Sequence, residues 1–516
     1  MPVSRRDVFR GLTTAALCRA GGALTSPLLL GRADAQVTPE VLRFRPEIEP
    51  LVDLIERTPR ERCAEAVVEQ LRSGVSYRQL LAALFLAGIR NVNPRPPGFA
   101  MHCVFVIHSA HLIGLEAPAD ARLLPLFFAL DNFKNAQERD ARQPAGDYTM
   151  RPIRGPLPAP ERAAVEFASA MEAWDSERAE RAVVALARHR GAAEVFETLW
   201  RYGARDYRNI GHKAIYVANA SRTLHAIGWQ HAEPVLRSLV LSLLDFGREQ
   251  KVNGYGFDDQ CYGPNLKRVK ETFPRLHDSW PADTPDAELT RAVLTAIRDA
   301  TPEEACAELA GRFAKGKATA GAVWDAVHLA AAELRIRTRS AAAIVGIHAV
   351  TAANGLHHAW QAASDPQARL LIQLQAVGWM SQFRVFAQAR EEGLRRFAIT
   401  DMEPASGDAD TARAVTEIFA GLRTDPDAAA ARVFRLVRDL PARQAFLAAA
   451  VRVTVTKAEE VHYYKYLAAM LEDIPLVSPV WQPHLLAATV HYMKGASDPE
   501  PAAMKRAREA LRALAA

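Results

Sequence analysis

The sequence predicts an all-α protein made by tandem duplication of a multi-helix unit of roughly 220 residues, with two pseudo-symmetric halves packed together. Apolar residues recur at three- and four-residue spacing almost throughout, Ala, Leu, Arg and Glu predominate, and strand-like alternation is scarce. A collinear series of self-matches runs through most of the chain. Two apolar, small-residue-rich stretches carry histidines at a shared spacing: FAMHCVFVIHSAHLIGL at 99–115 and GIHAVTAANGLHHAW at 346–360.

The N-terminus reads as an export address. Ser4-Arg5-Arg6-Asp7-Val8-Phe9-Arg10 resembles the twin-arginine signal, an apolar run follows, and Ala33-Asp34-Ala35 before Gln36 has the form of a cleavage site. Residues 1–35 are therefore expected to be a signal peptide read by the twin-arginine export machinery, placing the mature protein in the periplasm or outside the cell. That route carries folded proteins, often with a cofactor already loaded. No later stretch reaches the ~18–20 uninterrupted apolar residues of a membrane helix. The 516 residues, 49% hydrophobic, suffice for a large core or two packed halves. The net charge of +5 is small for this length and comes with no basic cluster, so no nucleic-acid partner is indicated.

Beyond the signal, residues 36–253 form the expected first half, 254–285 a linker rich in Gly, Pro and aromatics, and 286–516 the second half. Thr58-Pro59 and Thr301-Pro302 read as helix starts, a cap followed by proline at the first helical position. Cys63 and Cys306 fall on apolar helix faces and are expected as buried thiols.

The duplication rests on matched positions. Thr58-Pro59-Arg60-Glu61-Arg62-Cys63-Ala64-Glu65 parallels Thr301-Pro302-Glu303-Glu304-Ala305-Cys306-Ala307-Glu308 at a shift of 243. His102 and His111 match His348 and His357 at 246, and Ala121-Arg122-Leu123-Leu124 matches Ala368-Arg369-Leu370-Leu371 at 247. Asp175, Phe196, His212 and Tyr216 match Asp425, Phe446, His462 and Tyr466 at 250, and Trp229-Gln230 matches Trp481-Gln482 at 252. The shift drifts upward and never jumps, as small insertions would make it do.

This repeat reduces fifteen histidines to three equivalent pairs: 102/348, 111/357 and 212/462. Nine residues at about 100° each make half a turn beyond whole turns, so His102 and His111 point to opposite sides of one helix, as do His348 and His357. They cannot share an ion. Glu459-Glu460-Val461-His462 is an E-x-x-H and Asp325-Ala326-Val327-His328 a D-x-x-H, the i, i+3 spacing used by di-iron helical bundles. The metal reading takes His102, His212, His348 and His462 as ligands with Glu459, binding iron, copper or zinc, with haem as a further option. The acid/base reading gives His348, His462 and His212 catalytic roles in a closed pocket. The plain reading makes them core histidines bonded to backbone carbonyls. No nucleotide-binding motif, nucleophile elbow or H-E-x-x-H is present.

His348-Ala349-Val350-Thr351-Ala352-Ala353-Asn354-Gly355-Leu356 resembles the H-x-x-T-x-x-x-A-L stretch of questin oxidase-like proteins. His212-Lys213-Ala214-Ile215, followed by Ala232-Glu233 and a Leu-rich helix, is similar to their H-P-L-I-H…A-E-A-L region, and His108-Ser109-Ala110-His111-Leu112 to their histidine-rich early helix. The resemblance covers these three patches; the family's second histidine after the His212 position is missing, with Tyr216 nearby. It implies an all-helical oxygenase-like protein. The expected function is an exported, cofactor- or metal-dependent oxidoreductase acting on a small apolar or aromatic molecule. A non-catalytic periplasmic metal- or haem-binding or scaffold protein, and a metal-dependent hydrolase or lyase, are the alternatives.

Overall fold

In a computed structural model, residues 40–142, 148–245, 256–406 and 410–515 are described. The twin-arginine stretch and its cleavage site lie outside them. Among the described residues there are helices and no strands, so the all-α expectation holds. The body described below spans Leu42–Ala516.

Helix boundaries follow local chemistry. Thr301 caps the helix Pro302–Ala314, accepting from the Glu304 backbone N–H while Glu304 reaches back to the Thr301 N–H. Ser76 and Gln79 form the same reciprocal pair at the start of the helix Tyr77–Asn91. Thr58 departs from its sequence reading. Its hydroxyl donates backward to Leu54 O at 2.6 Å, closing the helix Glu49–Arg57, and Pro59 takes the cap position of the next helix. The stretch 254–285, expected as a linker, contains the helix Tyr262–Thr272. Asn265 from that helix is fully buried and donates to Gln375 Oε1 and to the Cys306 thiol, so this helix is part of the core. Cys63, Cys103, Cys261 and Cys306 are buried and free.

Four helices make the centre of the molecule: His102–Glu116, His212–Ile227, Ala343–Ala362 and Val461–Asp473. The first packs against the second and the fourth, and the third packs against the same two, so the four close into a ring. The segment Phe99–Glu116 is long and apolar enough to cross a membrane, which the sequence reading had not credited to any stretch. Its apolarity has a local cause: 61% of it is buried inside the fold, between neighbours that are themselves apolar.

Two glycines allow the second and third helices to approach. A Cβ on Gly355 would stand 3.0 Å from the Ala214 carbonyl oxygen. One on Gly211 would stand 2.9 Å from Ala352 Cβ, and Gly211 has φ +81°, a left-handed conformation that L side chains resist. Gly211→Ala is expected to destabilise the fold by about 1–3 kcal/mol, read as a lower denaturant midpoint at unchanged slope.

Candidate metal centre

The ring of helices brings together four of the predicted site residues. His102 and His212 are the first residues of their helices, His462 is the second of its helix, and His348 lies in the first turns of Ala343–Ala362. His212 Nε2 is 3.0 Å from His102 Nε2 and 3.1 Å from His348 Nε2. The ligand nitrogens of His102, His348 and His462 lie within 4.8 Å of one another, so this group could hold a metal ion.

In connectivity the outline is a square, each ring neighbouring two others. Neighbouring ring centroids are 4.9 Å apart for 102–212, 4.5 Å for 212–348, 5.1 Å for 348–462 and 4.6 Å for 462–102. Across the square, His102 and His348 are 6.0 Å apart. The positions matched at shifts of 246 and 250 therefore stand at opposite corners. A tetrahedral arrangement would make all separations equal. With metal–nitrogen bonds of about 2.0–2.1 Å, neighbouring nitrogens are ~3.0 Å apart around a square and ~3.3 Å apart around a tetrahedron. The observed 3.0 and 3.1 Å run from His212 to its two neighbours, while His462 Nε2 makes no such close approach.

Each imidazole is oriented through its other nitrogen. His102 Nδ1 faces Phe99 O at 2.9 Å, His348 Nδ1 faces Ile344 O at 2.7 Å, and His462 Nδ1 faces Glu460 Oε2 at 2.6 Å. His212 Nδ1 makes a short hydrogen bond to Asn209 O. All four partners are acceptors, so Nδ1 carries the proton in each ring and Nε2 presents a lone pair. Four lone pairs then converge with no donor between them. His462 Nε2 is buried and has no protein partner at all. Such an assembly is repulsive without a cation, and donation from Nδ1 to a carbonyl or carboxylate is how metal-bound histidines are held.

Protons do little to relieve this repulsion. Burial first, then the Lys465 side chain and the other histidines, holds His102 well below the ordinary imidazole range. Burial followed by Lys465 does the same to His212, and burial followed by His212 does so to His348. His462 is lowered by burial against the opposing pull of Glu460. All four shifts favour the neutral imidazole, which is the ligand form. The positive ends of the three helices that begin at these histidines act in the same direction.

Backbone strain supports two of the four orienting bonds. Asn209 and Ile210, with φ of 55° and 52°, precede the left-handed Gly211, and Phe99 has φ 31°. Left-handed conformation costs a non-glycine residue roughly 1–2 kcal/mol. Here it aims the carbonyls of Asn209 and Phe99 at His212 and His102. Strain of this kind collects where the surrounding fold enforces a functional geometry.

The other predicted residues lie elsewhere. Glu459 is half-exposed and pairs with Lys494 at 2.5 Å, away from the ring. Its neighbour Glu460 reaches His462 instead and accepts a short hydrogen bond from Tyr492. His111 meets the Tyr77 hydroxyl at 3.0 Å. His357 stacks on Trp324 at 4.2 Å and bonds His328 at 2.8 Å. Asp325 accepts from the Ser478 backbone N–H, so its D-x-x-H serves a loop.

Lys465 was not anticipated. It is buried, its Nζ has no hydrogen-bond partner, and it lies 5.5 Å from the centroid of the Phe105 ring. Burial pushes its amine down to about 7, against the pull of Glu460. Its position, three residues after His462, is the one signal that could have found it.

No protein family, curated protein or solved structure matches this chain.

Proposed function

We propose that the protein is a metalloprotein whose four histidines, His102, His212, His348 and His462, would bind one first-row transition ion. The observation that carries this reading is the convergence of four Nε2 lone pairs, each fixed by an acceptor on Nδ1. Neutral imidazoles suit iron, copper and zinc. A porphyrin would bring four nitrogens of its own into positions the imidazoles fill, so the ion is taken without haem.

The reading extends to an exported oxidoreductase acting on a small apolar or aromatic molecule. Two things support it: neutral imidazoles suit redox-capable ions such as iron and copper, and the sequence resembles questin oxidase-like proteins in three patches. Twin-arginine export would deliver the folded, loaded protein. Tandem duplication is supported by the same centre, because the matched pairs 102/348 and 212/462 sit at opposite corners around one axis.

Metal analysis of protein purified from cells tests the reading. About one copper or iron per chain is expected, with a visible absorption band. Protein without bound metal that also fails to take up copper(II) in solution would refute it.

A further inference from the structure

The charge around the square is unbalanced. Four neutral imidazoles bring no negative charge to a divalent cation. Three of their helices point positive ends at it. Among the described residues, Glu460 is the one carboxylate hydrogen-bonded to a ring histidine. Lys465 adds a further amine on the same side of its helix as His462, less than one turn away. Its Nζ is buried and unpartnered. A site with this much positive character and an unused buried donor lacks an anion.

The position of Lys465 says where that anion binds. Three residues beyond the four histidines stand Phe105, Ile215, Thr351 and Lys465, one from each helix of the ring. Further along the same helices, His108, Arg222, Asn354 and Glu472 form a second, hydrogen-bonded ring. All four helices therefore run from the first ring towards the second, and the Lys465 level lies between them. Phe105 packs its ring 5.7 Å from that of His212 and 6.0 Å from that of His102, closing part of this side. The 250-residue shift matches Lys465 with Ile215, an apolar residue. The fold thus accepts an aliphatic side chain at this level, and the amine is an addition to one half alone.

We propose that Lys465 and the side of the four-histidine centre facing it form a binding site for a small anion that would bind the metal through one atom and accept a hydrogen bond from the lysine. This rests on the metal reading above. The anion supplies the missing negative charge, and the buried amine gains the acceptor it lacks. Lys465 then selects small anionic ligands or substrate groups over neutral ones, with Phe105 limiting their size.

The test uses the full chain loaded with copper(II) and titrated with azide, following the ligand-to-metal absorption band, in the wild type and in Lys465→Met and Lys465→Gln. The expected result is one copper per chain in all three proteins, with azide affinity at least tenfold weaker in both variants. Equal azide affinity at equal copper content would overturn the anion site and leave the metal centre standing. Loss of copper from the variants would also overturn it, because Lys465 would then serve metal retention. A wild type that binds no copper would overturn the centre and this inference together.

Discussion

His212→Ala should abolish the stabilisation that metal gives the protein, while costing the metal-free form much less. His212 is the corner whose Nε2 lies closest to two others, at 3.0 and 3.1 Å, so its removal opens the square on two sides. Changing an outer-shell partner of a metal ligand typically weakens binding 10–100-fold, and losing the ligand itself should exceed that, costing more than about 2.7 kcal/mol in all. Melting temperatures with and without copper(II) separate this effect from packing. A buried imidazole truncated to methyl leaves a cavity in both forms, so the cavity cost cancels in the difference. A structural histidine would lower both melts equally and leave the metal increment intact. That outcome would return the four histidines to the role of core hydrogen-bonders. Glu460→Gln is the graded companion: it keeps an acceptor for His462 Nδ1 but removes the charge, and a smaller loss of copper affinity is expected, read in the same assay.

The fold and the ring histidines were legible in the sequence because both are periodic. Helical spacing marks the major elements, and collinear self-matching singles out 102/348, 212/462 and 111/357 without any knowledge of contacts; it does not tell that the last pair lies away from the ring, with Tyr77, His328 and Trp324. The carboxylate was misplaced for a definable reason. The i, i+3 rule that selected Glu459 assumes both residues are helical, yet the helix begins at Val461. Glu459 is thus in the preceding loop and turns to Lys494, while Glu460, at the cap position, folds forward onto its own helix and meets His462. The carbonyl acceptors were hidden because backbone oxygens have no sequence identity; the run Asn209-Ile210-Gly211 shows only a glycine where three successive left-handed residues occur. Lys465 was concealed by its surroundings, since a lysine between two tyrosines reads as an ordinary amphipathic position.

Glu472→Gln should be the most destabilising single exchange outside the metal square, and it should flatten the acid limb of the stability curve. Glu472 stands ten residues beyond His462, and Arg222 ten residues beyond His212, so the 250-residue shift that matches two histidines here matches opposite charges. The Arg222 guanidinium lies 3.1 Å from Glu472 Oε2, His108 Nε2 lies 3.0 Å from Oε1, and Asn354 donates to Oε2 at 3.1 Å. Burial alone would raise this carboxyl, but the His108 bond, Arg222 and Asn354 together hold it down at about 2. With a folded value below the unfolded one of 4.5, its stabilising contribution is complete above pH 4.5 and is lost as pH falls towards 2. The shift corresponds to about 3 kcal/mol. Glutamine keeps the shape but leaves Arg222, 11% exposed, without its anion, and breaking a buried pair on one side costs about 3–5 kcal/mol. Urea melts between pH 7 and pH 2.5 measure both effects: the variant starts lower at neutral pH and changes less through the acid window. Equal pH dependence in the two proteins would show that Glu472 is not held in its charged form by this ring, and that the two ends of the central helices are not locked by charge.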